Sequence, residues 1–237
     1  MLDPNGRVIL ISGATRGIGL AIARTLHAKG YTLSLGARDP LALTTVIADM
    51  DPMRVMTARY DAADWNSHEK WVEQTAGRFG RIDGLVNNAG VSIPVSIRTA
   101  DEKDLDALWA INCKAPLSMI RCALPHLEAS GSGRVINIAS LSGKRVANDH
   151  VGYAMTKFAV MALTHATRRI GWERGVRACA ICPGFVRTDM TAKVTKIAHD
   201  DMIDPADLAE MVATVIALSN SASIAELLVN CQFEAML

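Results

Sequence analysis

The sequence has 237 residues, half of them hydrophobic and 21% charged, with a formal net charge of +1. That balance suits a globular chain and gives no electrostatic pull toward nucleic acid or an acidic membrane surface, which points to a small-molecule partner. No uncharged apolar window of about 18 residues occurs, and the N-terminus has neither a basic start with an apolar run nor a small-residue cleavage site, so a cytoplasmic protein is expected, as one domain over 1–237.

Residues 8–12 form a short apolar run that enters Gly13-Ala-Thr-Arg-Gly17-Ile-Gly19, and residues 18–29 then show helical spacing up to Gly30. Strand, glycine turn, helix is an arrangement that serves phosphate binding. Glycines allow a tight turn and close approach, and the free N–H groups of a helix start attract anions.

A second strand over 31–37 ends at Ala37, followed by Arg38 and Asp39. In a Rossmann-type unit a carboxylate at this strand end accepts from an adenine ribose 2′-hydroxyl, whereas an arginine suits a 2′-phosphate. Arg38, with Arg16 closing from the glycine turn and no carboxylate at Ala37, favours NADP over NAD; NAD stays possible because Asp39 is one residue away.

The pattern then predicts a helix over 41–50, a third strand over 54–60 and a core-facing helix over 63–80 carrying Trp65, Trp71, Val72, Ala76 and Phe79. Asp61, beside Ala62, would either meet an adenine amino group or cap that helix, a task Asp64 could also perform. A fourth strand over 82–87 runs into Asn88-Ala-Gly90, where small residues leave room for a ring and asparagine amides can tie strands together. A long helical stretch over 105–127 breaks near Pro116, and Asn112 lies four residues before that proline.

A fifth strand over 134–139 delivers Ser140 to the carboxyl edge of the sheet, where ligands bind in such folds. A helix that follows carries Tyr153 and Lys157. Four residues apart on a helix, the two side chains share a face, so an ammonium can stabilise the ionised phenol. A sixth strand over 176–182 leads into Pro183-Gly184, a helix over 205–218 follows, and a seventh strand covers 225–231. The alternation predicts an α/β, doubly wound, three-layer fold around a mostly parallel sheet of about seven strands. The five cysteines form no framework. Cys179 and Cys182, though a C-x-x-C pair, lie three apart on a strand and so on opposite faces, and no metal site is expected.

Together, Ser12-Gly-Ala-Thr-Arg-Gly-Ile-Gly19, Asn87-Asn-Ala-Gly90, Asn112, Ser140, Tyr153-Ala-Met-Thr-Lys157 and Pro183-Gly184 resemble the short-chain dehydrogenase/reductase family in order and spacing. The resemblance implies a Rossmann domain in which 1–130 mainly binds a nicotinamide cofactor and 131–205 carries catalysis and substrate binding. It implies that Tyr153 exchanges a proton with a carbonyl or alcohol oxygen held by Ser140, that Lys157 binds ribose and tunes Tyr153, that both also contact the cofactor, and that Asn112 holds a water. Gly13, Thr15, Arg16, Gly17, Ile18 and Gly19 would cradle the dinucleotide phosphates. Arg38, Asp61, Ala62, Asn88, Ala89 and Gly90 would line its adenosine side, and Pro183, Gly184, Val186 and Thr188 the nicotinamide and pyrophosphate side. A homodimer on the two long helices, or a homotetramer, is expected.

Ser12 replaces the family's more usual Thr, and the Gly-Gly-containing tail of many members is absent. The latter weighs against the alternative of a 3-oxoacyl thioester reductase. A cofactor-sensing scaffold is the non-enzymatic alternative, and the presence of Asn112, Ser140, Tyr153 and Lys157 at once speaks against it. The substrate walls are expected at 91–96, 141–150, 185–186 and 188–204.

Overall fold

Apolar runs bounded by turn residues become the strands of one sheet: β1 (Val8–Ser12), β2 (Thr32–Ala37), β3 (Val55–Arg59), β4 (Gly84–Asn87), β5 (Arg134–Ile138), β6 (Arg177–Pro183) and β7 (Glu226–Val229). The computed structural model describes residues 1–233, so the last part of the tail expected after Asn230, residues 234–237, lies outside the described residues. The strand order is β3-β2-β1-β4-β5-β6-β7 and every pairing is parallel. Successive side chains of β1 serve opposite layers. Ile9 and Ile11 enter one core and Leu10 the other.

The first layer holds α1 (Gly17–Ala28), the short α2 (Leu41–Val46) and α7 (Pro205–Ala217), whose Ile22, Leu26, Leu43, Leu208 and Val212 pack on that face. The other layer holds α3 (Trp65–Phe79), α4 (Glu102–Trp109), α5 (Ala115–Ala129) and α6 (Val151–Gly171). Trp71, Val72, Met119, Ala123 and Leu127 fill that side. The doubly wound, three-layer expectation therefore holds.

Three local expectations need correction. The helix read over 41–50 stops at Val46; Thr44, Thr45, Val46 and Ile47 are a stiff β-branched run that extends a helix poorly, and Asp49 pairs instead with Arg24 at 2.8 Å. Trp65 is not core-facing but 44% exposed at the start of α3. The 105–127 stretch is three pieces, with a π-helical turn at Ala110–Lys114 between α4 and α5. Pro116 has no N–H to return to the carbonyl of Asn112, and a wider turn accommodates that gap.

Charged groups close the amino edge of the sheet. Asp83, fully buried, accepts from Val8 N–H at 2.9 Å and binds Arg81 at 2.6 Å. Burial beside Arg7 and Arg177 lowers the Arg134 pKa to about 10. The carboxyl edge, carrying the glycine turn, Asn88, Ser140 and Gly184, is left for ligands. Among the described residues no helix is long and apolar enough to cross a membrane.

Candidate active site

The turn after β1 is built around its glycines. Gly13 and Gly17 have φ of +68° and +55°, a region that disfavours side chains. A Cβ on Gly19 would fall 2.3 Å from Gly13 O and 2.5 Å from Asn88 Nδ2. Asn88 Nδ2 in turn donates to Ser12 O (3.0 Å) and Gly13 O (3.1 Å), while Ser12 Oγ accepts from the N–H groups of Asn88 and Ala89. The hydroxyl of Ser12 thus fastens β1 to β4, and Thr in its place would keep that bond. α1 starts here with no acidic residue in its first turn and no side-chain cap, so its N-terminal N–H groups face the cradle that Gly13, Thr15, Gly17, Ile18 and Gly19 leave open. These features fit a dinucleotide.

β2 ends at Ala37, with Arg38 exposed just beyond. Asp39 is drawn away into a local turn, where Oδ1 accepts from Leu41 N–H at 2.9 Å. Asp64 caps α3 by accepting from Asn66 N–H, so that task does not fall to Asp61. Asp61 is held from several sides: its N–H donates to Ser67 Oγ, its carbonyl accepts from His68 Nε2 (2.9 Å), and its carboxylate accepts from Ala63 N–H (3.1 Å) and lies 3.6 Å from Arg59. Since a carbonyl only accepts, Nε2 carries the proton and Nδ1 of the buried His68 accepts from Ser118 Oγ at 3.0 Å. A groove of about 530 Å³ opens beside Ala62, lined also by Trp65, Lys114 and Leu117.

α6 begins two residues before Tyr153. Lys157, 7% exposed, donates from Nζ to Ile138 O at 2.9 Å and stands 5.4 Å from the Tyr153 ring centroid. A Cβ on Gly90 would come 3.3 Å from Asn112 Oδ1 and 4.0 Å from Lys157 Nζ, so the small residue after β4 makes room beside the ammonium. Ser140 follows β5 and its Oγ accepts from Ser142 N–H at 3.1 Å. The chain has three tyrosines. Tyr31 and Tyr60 are buried in the two cores, and Tyr153 is half-buried.

The family model described as short chain dehydrogenase matches residues 7–198. This chain belongs to that family. It is 47% identical over 230 residues to an agropine synthesis reductase of Rhizobium rhizogenes, an alignment that takes in 97% of this chain and 53% of the relative. The chain thus spans about half the length of that relative. A crystal structure titled short-chain dehydrogenase/reductase SDR:Glucose/ribitol dehydrogenase, from Brucella melitensis, superposes with a TM-score of 0.90 at 26% identity, over 98% of this chain and 99% of that one. A metagenomic short-chain oxidoreductase in complex with NADP gives a TM-score of 0.83 at 29% identity, over 98% and 100%.

Several family positions differ in detail from the sequence reading. Asn112 is 2% exposed in the π turn. Its Oδ1 accepts from Val91 N–H (2.9 Å), and Nδ2 donates to Val91 O (2.9 Å) and Thr156 Oγ1 (3.1 Å). Val186 is 4% exposed, its side chain in the core and its carbonyl taken by Thr191 Oγ1 at 2.5 Å. Any ligand contact at Val186 is therefore a backbone one. Arg16 is paired with Asp189 at 2.8 Å. Pro183 is buried at the end of β6, Gly184 N–H donates to Val229 O, and Thr188 lies 3.3 Å from a Cβ built on Gly17. Thr156 and Asp189 escaped the sequence reading. The first sits between two motif residues with nothing to mark it, and the second is 173 positions from its partner.

Cys179 and Cys182 lie in different cores on the two faces of β6, and burial raises their pKa values to about 12 and about 11.

Proposed function

We propose that this chain is an NAD(P)-linked oxidoreductase that interconverts a carbonyl and an alcohol. One observation carries the reading: a buried Lys157 ammonium, fixed on Ile138 O, lies beside Tyr153 and against the Gly90 and Asn112 wall. When bound, the nicotinamide cofactor supplies or accepts the hydride. Tyr153 gives its hydroxyl proton to the carbonyl oxygen in reduction and takes it back in alcohol oxidation. Ser140 holds the same oxygen by a hydrogen bond. Lys157 serves the ribose hydroxyls and Tyr153 together. Residues 1–130 do most of the cofactor binding, and 131–205 the chemistry.

NADP is the preferred cofactor in this reading. Support comes from Arg38 directly after β2, from Asp39 turned into its own loop, and from Arg16 in the glycine turn. Of the structures similar to this chain, a metagenomic short-chain oxidoreductase is in complex with NADP and a 3-ketoacyl-(acyl-carrier-protein) reductase from Brucella melitensis with NADH. The name of the Rhizobium rhizogenes relative favours reduction as the working direction. A homodimer and a cytoplasmic setting complete the reading, the latter supported by five free thiols.

Replacing Tyr153 by Phe tests it. Turnover of a carbonyl panel, followed by absorbance of the reduced nicotinamide, should drop by about two to four orders of magnitude, the usual contribution of a positioned acid. Cofactor affinity should stay within about twofold, because Lys157 and the glycine-turn cradle are untouched. Retained turnover would show that another group delivers the proton.

A further inference from the structure

The NADP reading gives Arg16 a 2′-phosphate to hold, yet Arg16 already has a carboxylate. Its Nη1 lies 2.8 Å from Asp189 Oδ2, with 74% and 71% of the two side chains exposed. The pair joins the glycine turn to the segment after β6. Thr188, one residue earlier, leans on the same turn, 3.3 Å from a Cβ built on Gly17. Further on, the segment closes on itself. Val186 bridges Ile203, Arg187 N–H donates to Ile203 O, Ile203 N–H donates to Phe185 O, and the Arg187 guanidinium binds Asp204 and lies 3.8 Å from Asp200. The base of the 188–202 loop is therefore fixed, while its first residues are fastened to the cofactor turn through an exposed ion pair.

That fastening sets a charge problem. The start of α1 has no acidic residue in its first turn and no side-chain cap, an environment that attracts anions. Asp189 occupies the guanidinium that would receive an incoming phosphate there. We propose that Asp189 stands in for the cofactor 2′-phosphate on Arg16, and that an arriving 2′-phosphate takes Arg16 over and releases the Asp189 carboxylate. The inference rests on the NADP reading above. The exchange is feasible because an exposed ion pair is weak in water, while a phosphate brings more charge and more acceptor oxygens than a carboxylate. Asp189 is in this sense a specificity-determining residue: acting through Arg16, it weakens binding of the phosphate-bearing cofactor more than that of its hydroxyl-bearing counterpart.

Calorimetric titration of the full chain with 2′,5′-ADP and with 5′-AMP, which differ only in the 2′-phosphate, measures this directly. Asp189→Asn should tighten 2′,5′-ADP by about two- to fivefold, the range an exposed ion pair commands, and change 5′-AMP less. In an Arg16→Gln background the same substitution should leave 2′,5′-ADP unchanged. An unaltered 2′,5′-ADP affinity in Asp189→Asn, or an equal gain in the Arg16→Gln background, overturns the exchange. Equal affinity of the unsubstituted chain for the two nucleotides would sink the NADP reading and the exchange together, and that outcome is seen before any substitution is made.

Discussion

Thr156 stands between the two motif residues of α6 and joins them to the π turn. Its Oγ1 donates to Tyr153 O at 2.8 Å and accepts from Asn112 Nδ2, while its own carbonyl accepts from Cys113 Sγ at 3.5 Å. Asn112 meanwhile holds both backbone groups of Val91. The wall beside the ammonium and the helical turn bearing the phenol are thus one hydrogen-bonded unit. Thr156→Val keeps the shape and removes the hydroxyl, leaving a buried amide N–H without its acceptor. We expect kcat to fall about five- to tenfold, the equivalent of one hydrogen bond, with cofactor KM within about twofold and recovery in Thr156→Ser. Full kcat in Thr156→Val would mean that the helix alone positions Tyr153. A loss of melting temperature without the kcat-against-KM split would mark Thr156 as merely structural.

The elements that were legible in advance are those whose signal is local. β1 could be placed because Ile9, Leu10 and Ile11 run straight into glycine, and α6 because Tyr153 and Lys157 share a face. The π turn was not legible: Pro116 announces a break, but no pattern of side chains says that Asn112 will turn inward rather than outward. Trp65 misled because its spacing matched buried Val72, seven residues on, while its place, first in α3, leaves it at the surface. The seat of Asp61 depends on His68, one of six histidines and part of no motif. Buried His68 joins α3 to α5 through Ser118 and to the end of β3 through Asp61 O, and burial holds its pKa below the ordinary 6.5 against smaller opposing effects of Asp64 and Asp61. The unfolded chain therefore takes up a proton near pH 6.5 that the folded chain resists. Stability from this group is complete above that pH and is lost as the pH falls toward the depressed folded value. Melting temperature should drop between pH 7.5 and 5.5. His27, lowered by burial and by Arg54, contributes in the same sense, so the informative quantity is the difference from His68→Gln, which should melt lower at pH 7.5 and decline less on acidification. Equal slopes for the two proteins would remove His68 from the account.

At the scale of the molecule, the outer faces of α5 and α6 show Leu117 (51% exposed), Met155 (47%) and Phe158 (43%). Large apolar side chains gathered on neighbouring helices suit burial against a second copy. Light scattering behind a sizing column should give twice the 25.4 kDa of the chain, and Leu117→Asp with Phe158→Asp should halve that mass. A monomer before substitution would reject the arrangement. The sheet order has a separate consequence for how the molecule comes into being. β1 is flanked by β2 and β4, and the seat that joins Gly13 to Asn88 closes a separation of 75 residues. The seat is complete only where β4 lies alongside β1, so a ligand that needs it favours the assembled sheet by mass action.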